Sequence, residues 1–427
     1  MYVEAILGPY SDAADLRVLC DPNEGRLAYY DQLTRRLSPS RPDPVLGSPN
    51  DLTRLIRDHA IEYVVVTSPD WTHGDYITES LHAGADVIVE KPIATTAEAC
   101  RKVVEAVAVT GRSVRVTFNY RYAARNSKLR EIVQAGAVGT VTSVHFEWLL
   151  DTSHGADYFR RWHRDKANSG GLLVHKASHH FDLVNWWIDR RPRRVFASGE
   201  LRFYGSNNYA RRAAQEGQSA RIDMGDPFAL DIGADPRLRA LYLEPQRYDG
   251  YVRNADVFGD GITIEDNLAV IVDYSEGPAL AYSLNAHSPW EGYRVAINGT
   301  EGRVELEVVE RGAVIPNGRR QVELDPTAAE GTVEGGYVRQ AGERLLTQRH
   351  WEDAVDVPLP RSGGSHGGGD DLLLADIFGP EAPDPLNRKA DYSDGVWAAS
   401  IGIAANLSME RGGPVEIAEL GLGLGGG

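Results

Sequence analysis

Residues Ile61 to Thr67, IEYVVVT, form a nearly continuous β-branched run, and a run of that kind is expected of a strand covered on both faces. Leu16–Cys20, Val87–Glu90 and Val114–Phe118 repeat the signal at short intervals. Helical patterns lie between them. Leu52, Leu55 and Ile56 fall at i, i+3, i+4, and Ile77 and Leu81 are one turn apart before Gly84. Thr95 and Glu98 make a capping-box pair for a helix carrying Val103, Val104 and Val107, which Gly111 closes. Strands alternating with helices of this length predict a parallel sheet with helices on both faces.

After Phe118 the period changes. A helix over Ser127–Ala135 and a strand over Val141–Leu150 lead to a Gly-Gly step at Gly170 and a predicted helix over Leu173–Ile188. Residues 200–260 are polar and weakly patterned and read as an insertion or long loop. From Ile262 to Val309 apolar and polar residues alternate between glycine turns, the pattern of an antiparallel meander. A glycine-rich break from Ser362 precedes helices over Leu372–Phe378 and Asp394–Arg411, and the terminal LGLGLGGG reads as a frayed tail. The second part is therefore α+β, and 427 residues suit two domains.

Composition narrows the function classes. With 45 basic and 61 acidic residues the chain carries a formal charge of −16, a field that repels phosphate backbones and anionic lipids, so neither nucleic acid nor membrane is an expected partner. No apolar run approaches the roughly 18 residues of a spanning helix. Cys20 and Cys100 form neither a disulfide framework nor a thiolate zinc pattern; with no secretory signal visible, a cytoplasmic location is expected.

Several residues can carry chemistry. Asp21 ends the first visible strand, where a nucleotide-binding sheet places an acid against the ribose diol of NAD, although strands often end in such turns. Thr67, Ser68, Pro69 and His73 follow the next strand, at an edge where a ligand crevice is expected. Glu90-Lys91-Pro92 opens at the same edge; Lys91 can stabilise an alkoxide there, or simply pair with Glu90 in solvent. The densest cluster is GGLLVHKASHHFD from Gly170. If helical, it puts His175, His179 and Asp182 on one face and Lys176 with His180 on the next. Imidazoles suit acid–base work; a metal is less expected because the glutamate of His-Glu-x-x-His is missing, and structural histidines are the plain alternative. Arg160–Arg164, with Trp162 and His163 among them, can contact a hydroxyl-rich or anionic substrate or face solvent. His366 and Asp370 flank a glycine run that either closes the pocket or serves as a connector.

In order along the chain, TSPDWTH, EKPIATTAEA, VTFNYRYAARNSKLREIVQAGAVGTVTSVHFEW, SGGLLVHKASHHFDLVNWW and AINGTEGRVEL resemble the Gfo/Idh/MocA oxidoreductases. The resemblance implies an NAD-binding Rossmann domain over 1–118 and a substrate-binding and oligomerisation domain over 119–427, built on a large open, mainly antiparallel sheet. It implies NAD, rather than NADP, as cofactor, a sugar, polyol or related cyclic alcohol as substrate, and a homo-oligomer, dimer or tetramer. By position Lys91 resembles the family's catalytic lysine, His179 the proton acceptor, and Asn119 a residue near the nicotinamide; His175 and Lys176 stand where an aspartate pattern is usual. Trp162, His163 and Lys176 are assigned to substrate, and no metal is expected. Alternatives are a glycoside-cleaving enzyme that oxidises transiently and a non-catalytic sugar-binding regulator. The family's first strand and glycine turn should precede a helix like Met1–Leu7, so roughly 10–25 further upstream residues are expected.

Overall fold

The computed structural model describes residues 1–219, 226–314, 339–360 and 365–424. The N-terminal part runs α1 (Tyr2–Leu7), β1 (Val18–Cys20), α2 (Glu24–Leu37), β2 (Val45–Gly47), α3 (Leu52–Asp58), β3 (Tyr63–Val66), α4 (His73–Ala83), β4 (Asp86–Val89), α5 (Ala97–Thr110) and β5 (Val114–Val116). Strands β3, β4 and β5 are parallel neighbours, and the buried valines 66, 87, 89, 114 and 116 hold them between helices. The cap of α5 is Thr96, one residue later than the capping-box spacing indicates: its hydroxyl accepts from Ala99 N. Strands β1 and β2 pair with each other in a separate parallel ribbon. Strands β1 and β3 flank a groove of about 1220 Å³, bordered also by α1.

The chain continues through a 3-10 turn (Asn119–Tyr122), α6 (Ala124–Gln134), β6 (Val141–Asp151), α7 (Thr152–Arg160), α8 (Lys166–Ser169), α9 (Leu172–His175), α10 (Ser178–Ile188) and β7 (Pro192–Glu200). The segment read as an insertion or long loop contains helices: it holds α11 (Tyr209–Ser219), α12 (Pro236–Leu238), a π turn and α13 (Gln246–Asp249). Its polar surface hid this, yet YARRAAQEGQS is rich in helix formers. The segment also reaches back to the nucleotide side, where Asn23 Nδ2 donates to Asp249 at 2.7 Å and to Pro245 O at 3.0 Å, and Arg26 Nη2 pairs with Asp249 at 2.8 Å.

The last elements are β8 (Asn267–Tyr274), β9 (Ala279–Ser288), β10 (Glu291–Gly299), β11 (Gly302–Arg311), β12 (Gly342–Arg349), β13 (Val355–Asp356), α14 (Gly369–Phe378), β14 (Ala390–Asp391), α15 (Tyr392–Arg411) and β15 (Val415–Glu416). The large sheet has the order β13-β12-β11-β10-β6-β9-β8-β7-β15. The simple meander is thus corrected. Strand β6 lies between β9 and β10 and runs parallel to β9, because the turn into β10 is anchored at the end of β6: Glu291 accepts from Asp151 N at 2.7 Å. One face of the sheet is buried, as the strict alternation along β9 shows. Helix α15 packs against α10 and α9, and a Cβ at Gly402 would meet the Leu173 carbonyl at 2.4 Å, so only glycine permits this approach. Strand β14 adds to the edge of the N-terminal sheet at β5.

Candidate active site

The segments that follow β3 and β4 place Asp70 and Lys91 at the carboxyl edge of the N-terminal sheet, facing α9 and α10 of the second part. Lys91 Nζ donates to the His175 carbonyl at 3.1 Å. Asp70, which is 3% exposed, sets Oδ2 2.5 Å from His175 Nδ1. These contacts explain why the predicted helix over 173–188 is broken: the His175 carbonyl accepts from Lys91 and from Ser178 Oγ, and the chain restarts as α10. The single-face arrangement of His175, His179 and Asp182 is corrected accordingly. Asp182 instead forms a buried bidentate pair with Arg121, at 2.6 and 2.8 Å, which ties α10 to the turn after β5.

Electrostatics keep the imidazoles neutral. Burial, followed by Lys91 and His163, holds His175 well below the ordinary histidine range. Burial and then Arg161 and Lys91 do the same to His163. Asp70 is driven well upward by burial, against the pull of Lys91 and Arg161. Trp162 stacks on His163 at 3.6 Å and meets Trp71 edge-on at 5.4 Å, so the Arg160–Arg164 segment walls the site. His163 packs 4.2 Å from His175.

His179 lies on the next turn, its ring 4.7 Å from Tyr120 and 5.9 Å from Phe118. Lys176 is buried with its ammonium over Trp148 at 5.1 Å and Tyr120 at 5.7 Å, a cation held by aromatic faces beside His179. His180 is structural: it stacks on Trp148 at 3.9 Å and its Nδ1 lies 2.7 Å from the Tyr282 hydroxyl.

The residues assigned to cofactor fall into two groups. Asp21, Thr67 and Glu90 border the long groove. Asp21 accepts from Asn23 N at 2.7 Å and lies 3.7 Å from Arg26; burial raises its carboxyl above the ordinary range. Glu90 accepts from the Tyr2 hydroxyl at 2.8 Å, and burial raises its carboxyl also. Asn119 donates to Asp370 at 2.6 Å, while its Oδ1 is buried without a hydrogen-bond partner. Asp370 therefore does close on this edge; the side chain of His366 and residues 361–364 lie outside the described residues.

Ser68, Pro69 and His73 form a tie instead. The His73 ring, 1% exposed, sits between the Ser68 carbonyl at 2.8 Å and the Pro92 carbonyl at 2.7 Å, and so clamps the two loops together. Ser68 Oγ is 2.6 Å from Thr72 Oγ1, whose hydroxyl also bonds to the Pro69 carbonyl.

Sequence reasoning missed Asp70, Tyr120 and Tyr158. Asp70 lies inside a stretch singled out for other residues, and its partner is 105 positions away. Tyr158, with His154 Nε2 3.1 Å from its hydroxyl and Glu291 behind at 2.7 Å, packs 5.6 Å from His175. Among the described residues no three His, Cys, Asp or Glu side chains gather as a metal site.

A parallel-sheet nucleotide domain joined to a domain with one large mixed sheet, with a lysine and histidines between them, defines a two-domain oxidoreductase fold. Residues 10–118 match the oxidoreductase family's NAD-binding Rossmann fold and 130–417 its C-terminal alpha/beta domain. The chain belongs to the Gfo/Idh/MocA oxidoreductase family, and is a dehydrogenase-type enzyme. It is 32% identical to the putative oxidoreductase YteT of Bacillus subtilis over 96% of this chain and 92% of that one. Inositol 2-dehydrogenase 3 of Saccharopolyspora erythraea is 40% identical over 60% of this chain and 77% of its own. Among solved structures, levoglucosan dehydrogenase with NADH and levoglucosan aligns at TM-score 0.61 and 16% identity, covering 97% and 94% of the two chains, a likeness of fold.

Proposed function

We propose that the protein is an NAD-dependent dehydrogenase acting on a carbinol group of a sugar, polyol or related cyclic alcohol. One observation carries the reading: Lys91 Nζ from the nucleotide domain donates to the backbone carbonyl of His175 in the second domain at 3.1 Å, and Asp70 Oδ2 lies 2.5 Å from the imidazole of the same residue. Asp21 suits a ribose diol and disfavours a 2′-phosphate, and the orphaned Asn119 Oδ1 suits an amide donor, so these residues fit NAD. NAD, when bound, accepts the hydride. His179 takes the hydroxyl proton, Lys91 stabilises the developing oxyanion, and His175, held by Asp70, orients the group with Lys176. Trp162 and His163 line the substrate side.

The domain division we adopt is 1–118 and 119–427. The open sheet face carries the exposed side chains Phe196 and Ile271 beside a shallow cavity of about 720 Å³, which supports a homo-oligomer formed through that face. Free thiols at Cys20 and Cys100 suit a cytoplasmic setting. The test is NADH formation across a panel of polyols and sugars, with Lys91→Met as control. The expected result is NADH from at least one alcohol and a loss of roughly 10²–10³ in kcat for the variant; NADH formation that survives the substitution would overturn the assignment.

A further inference from the structure

The wall built by residues 157–164 and 251–253 concentrates positive charge in a protein of net charge −16. Asp157 is the shared carboxylate. Arg253 binds it twice, at 2.7 and 3.0 Å, and Arg161 Nη1 reaches it only at 3.4 Å. Arg160, whose Nη2 bonds to the Phe228 carbonyl at 2.7 Å, adds a third guanidinium. Three arginines thus surround one aspartate. Lys91 stands nearby, burial pushes the Asp70 carboxyl upward so that it offsets that charge incompletely, and His163 and His175 are held well below the ordinary histidine range, so the excess is not relieved from that side.

Three polar atoms of this wall are buried without a hydrogen-bond partner: Arg161 Nε, Arg253 Nε and His163 Nδ1. Arg253 is 3% and His163 2% exposed, so water does not answer for them. An unmade buried hydrogen bond costs about 1–3 kcal/mol, and several beside one another mark a place where an acceptor belongs. Of the guanidiniums, Arg161 is 29% exposed while Arg253 is 3% exposed, so Arg161 is the one a ligand can reach. A single planar fork matches a carboxylate. Beside it the Trp71–Trp162 pair, with Trp71 42% exposed, offers aromatic surface for the apolar face of a sugar ring.

We infer that the substrate is a sugar acid, its carboxylate bound by Arg161 and its ring lying on Trp71 and Trp162. This rests on the dehydrogenase reading for the carbinol chemistry, but binding tests it separately. The full chain, with saturating NADH, is titrated by tryptophan fluorescence with glucuronate, galacturonate and mannuronate, with their neutral hexoses, and with the hexose 6-phosphates. At least one uronate should bind about tenfold or more tightly than its neutral hexose, and Arg161→Gln should remove that preference. Arg161→Lys should restore part of it. Equal affinity for every acid and its hexose, tighter binding of the phosphates, or a preference that survives Arg161→Gln would each overturn the inference. NADH formation from neutral sugars with no acid preference would sink the carboxylate and spare the dehydrogenase; acid binding without NADH formation would do the reverse.

Discussion

Replacing Asp70 by asparagine separates the role of its charge from the packing around it. The side chains are nearly isosteric, and Asp70 is buried, so above the pH at which its raised carboxyl ionises the change removes a charge-assisted hydrogen bond to His175 Nδ1 at 2.5 Å and little else. Such bonds contribute about 1.5–3 kcal/mol, which corresponds to roughly 10–150-fold in kcat/KM. An asparagine amide that turns its N–H toward Nδ1 also reverses the imidazole tautomer. The proton then sits on Nε2, where the wild-type ring has an acceptor. Stability should move the other way. Burial raises the Asp70 carboxyl, so the folded protein holds that proton more tightly than the unfolded chain does. The resulting stabilisation is complete below the ordinary carboxylate range and is lost as pH rises through the raised value. Asparagine has no such loss, so its melting temperature relative to wild type should climb from acid toward neutral pH. Steady-state NADH formation on the best alcohol and calorimetry at several pH values measure both. A kcat/KM within about threefold of wild type, or a melting-temperature difference that falls with pH, would refute the reasoning.

Three further outcomes are expected. Asp21→Ala should lower the preference for NAD over NADP by about tenfold, read as the ratio of kcat/KM values, since the carboxylate is then gone from the ribose edge. Asp182→Ala leaves Arg121, 3% exposed at its side chain, with the more distant Asp394 and the Asn387 carbonyl, and should destabilise the fold by about 3–5 kcal/mol in urea unfolding. Phe196→Glu with Ile271→Glu, which places like charges on the open sheet face, should shift light-scattering mass to the monomer without changing the circular dichroism spectrum.

The chain shows its nucleotide half plainly because that half is local: each strand is followed within a few residues by the helix that covers it, and the glycines at 84 and 111 end α4 and α5 in the left-handed conformation that the reading requires. Lys91 was visible as a residue just past a strand end, and His175 as one of the histidines crowded after the Gly-Gly step. What stayed hidden depends on pairings that no window contains. The insertion of β6 between β9 and β10 joins residues more than 130 positions apart in one register, Ser143 with Ala279. The break between α9 and α10 is caused by a lysine that arrives from the other domain. Asp70 carries no mark of its own, and the 200–260 segment was obscured because its buried residues, among them Tyr204, Phe228, Leu238 and Phe258, are scattered among polar ones.

That segment has a consequence for how the two halves diverge. Arg26, which stands 3.7 Å from Asp21, is held by Asp249 and donates to the Leu241 carbonyl, and the same stretch of chain supplies Tyr251 and Arg253 to the far wall. One excursion of the polypeptide therefore touches both Arg26, the neighbour of the residue we propose selects the dinucleotide, and the wall we propose meets the substrate. A variant in which this excursion is exchanged should shift both selectivities together.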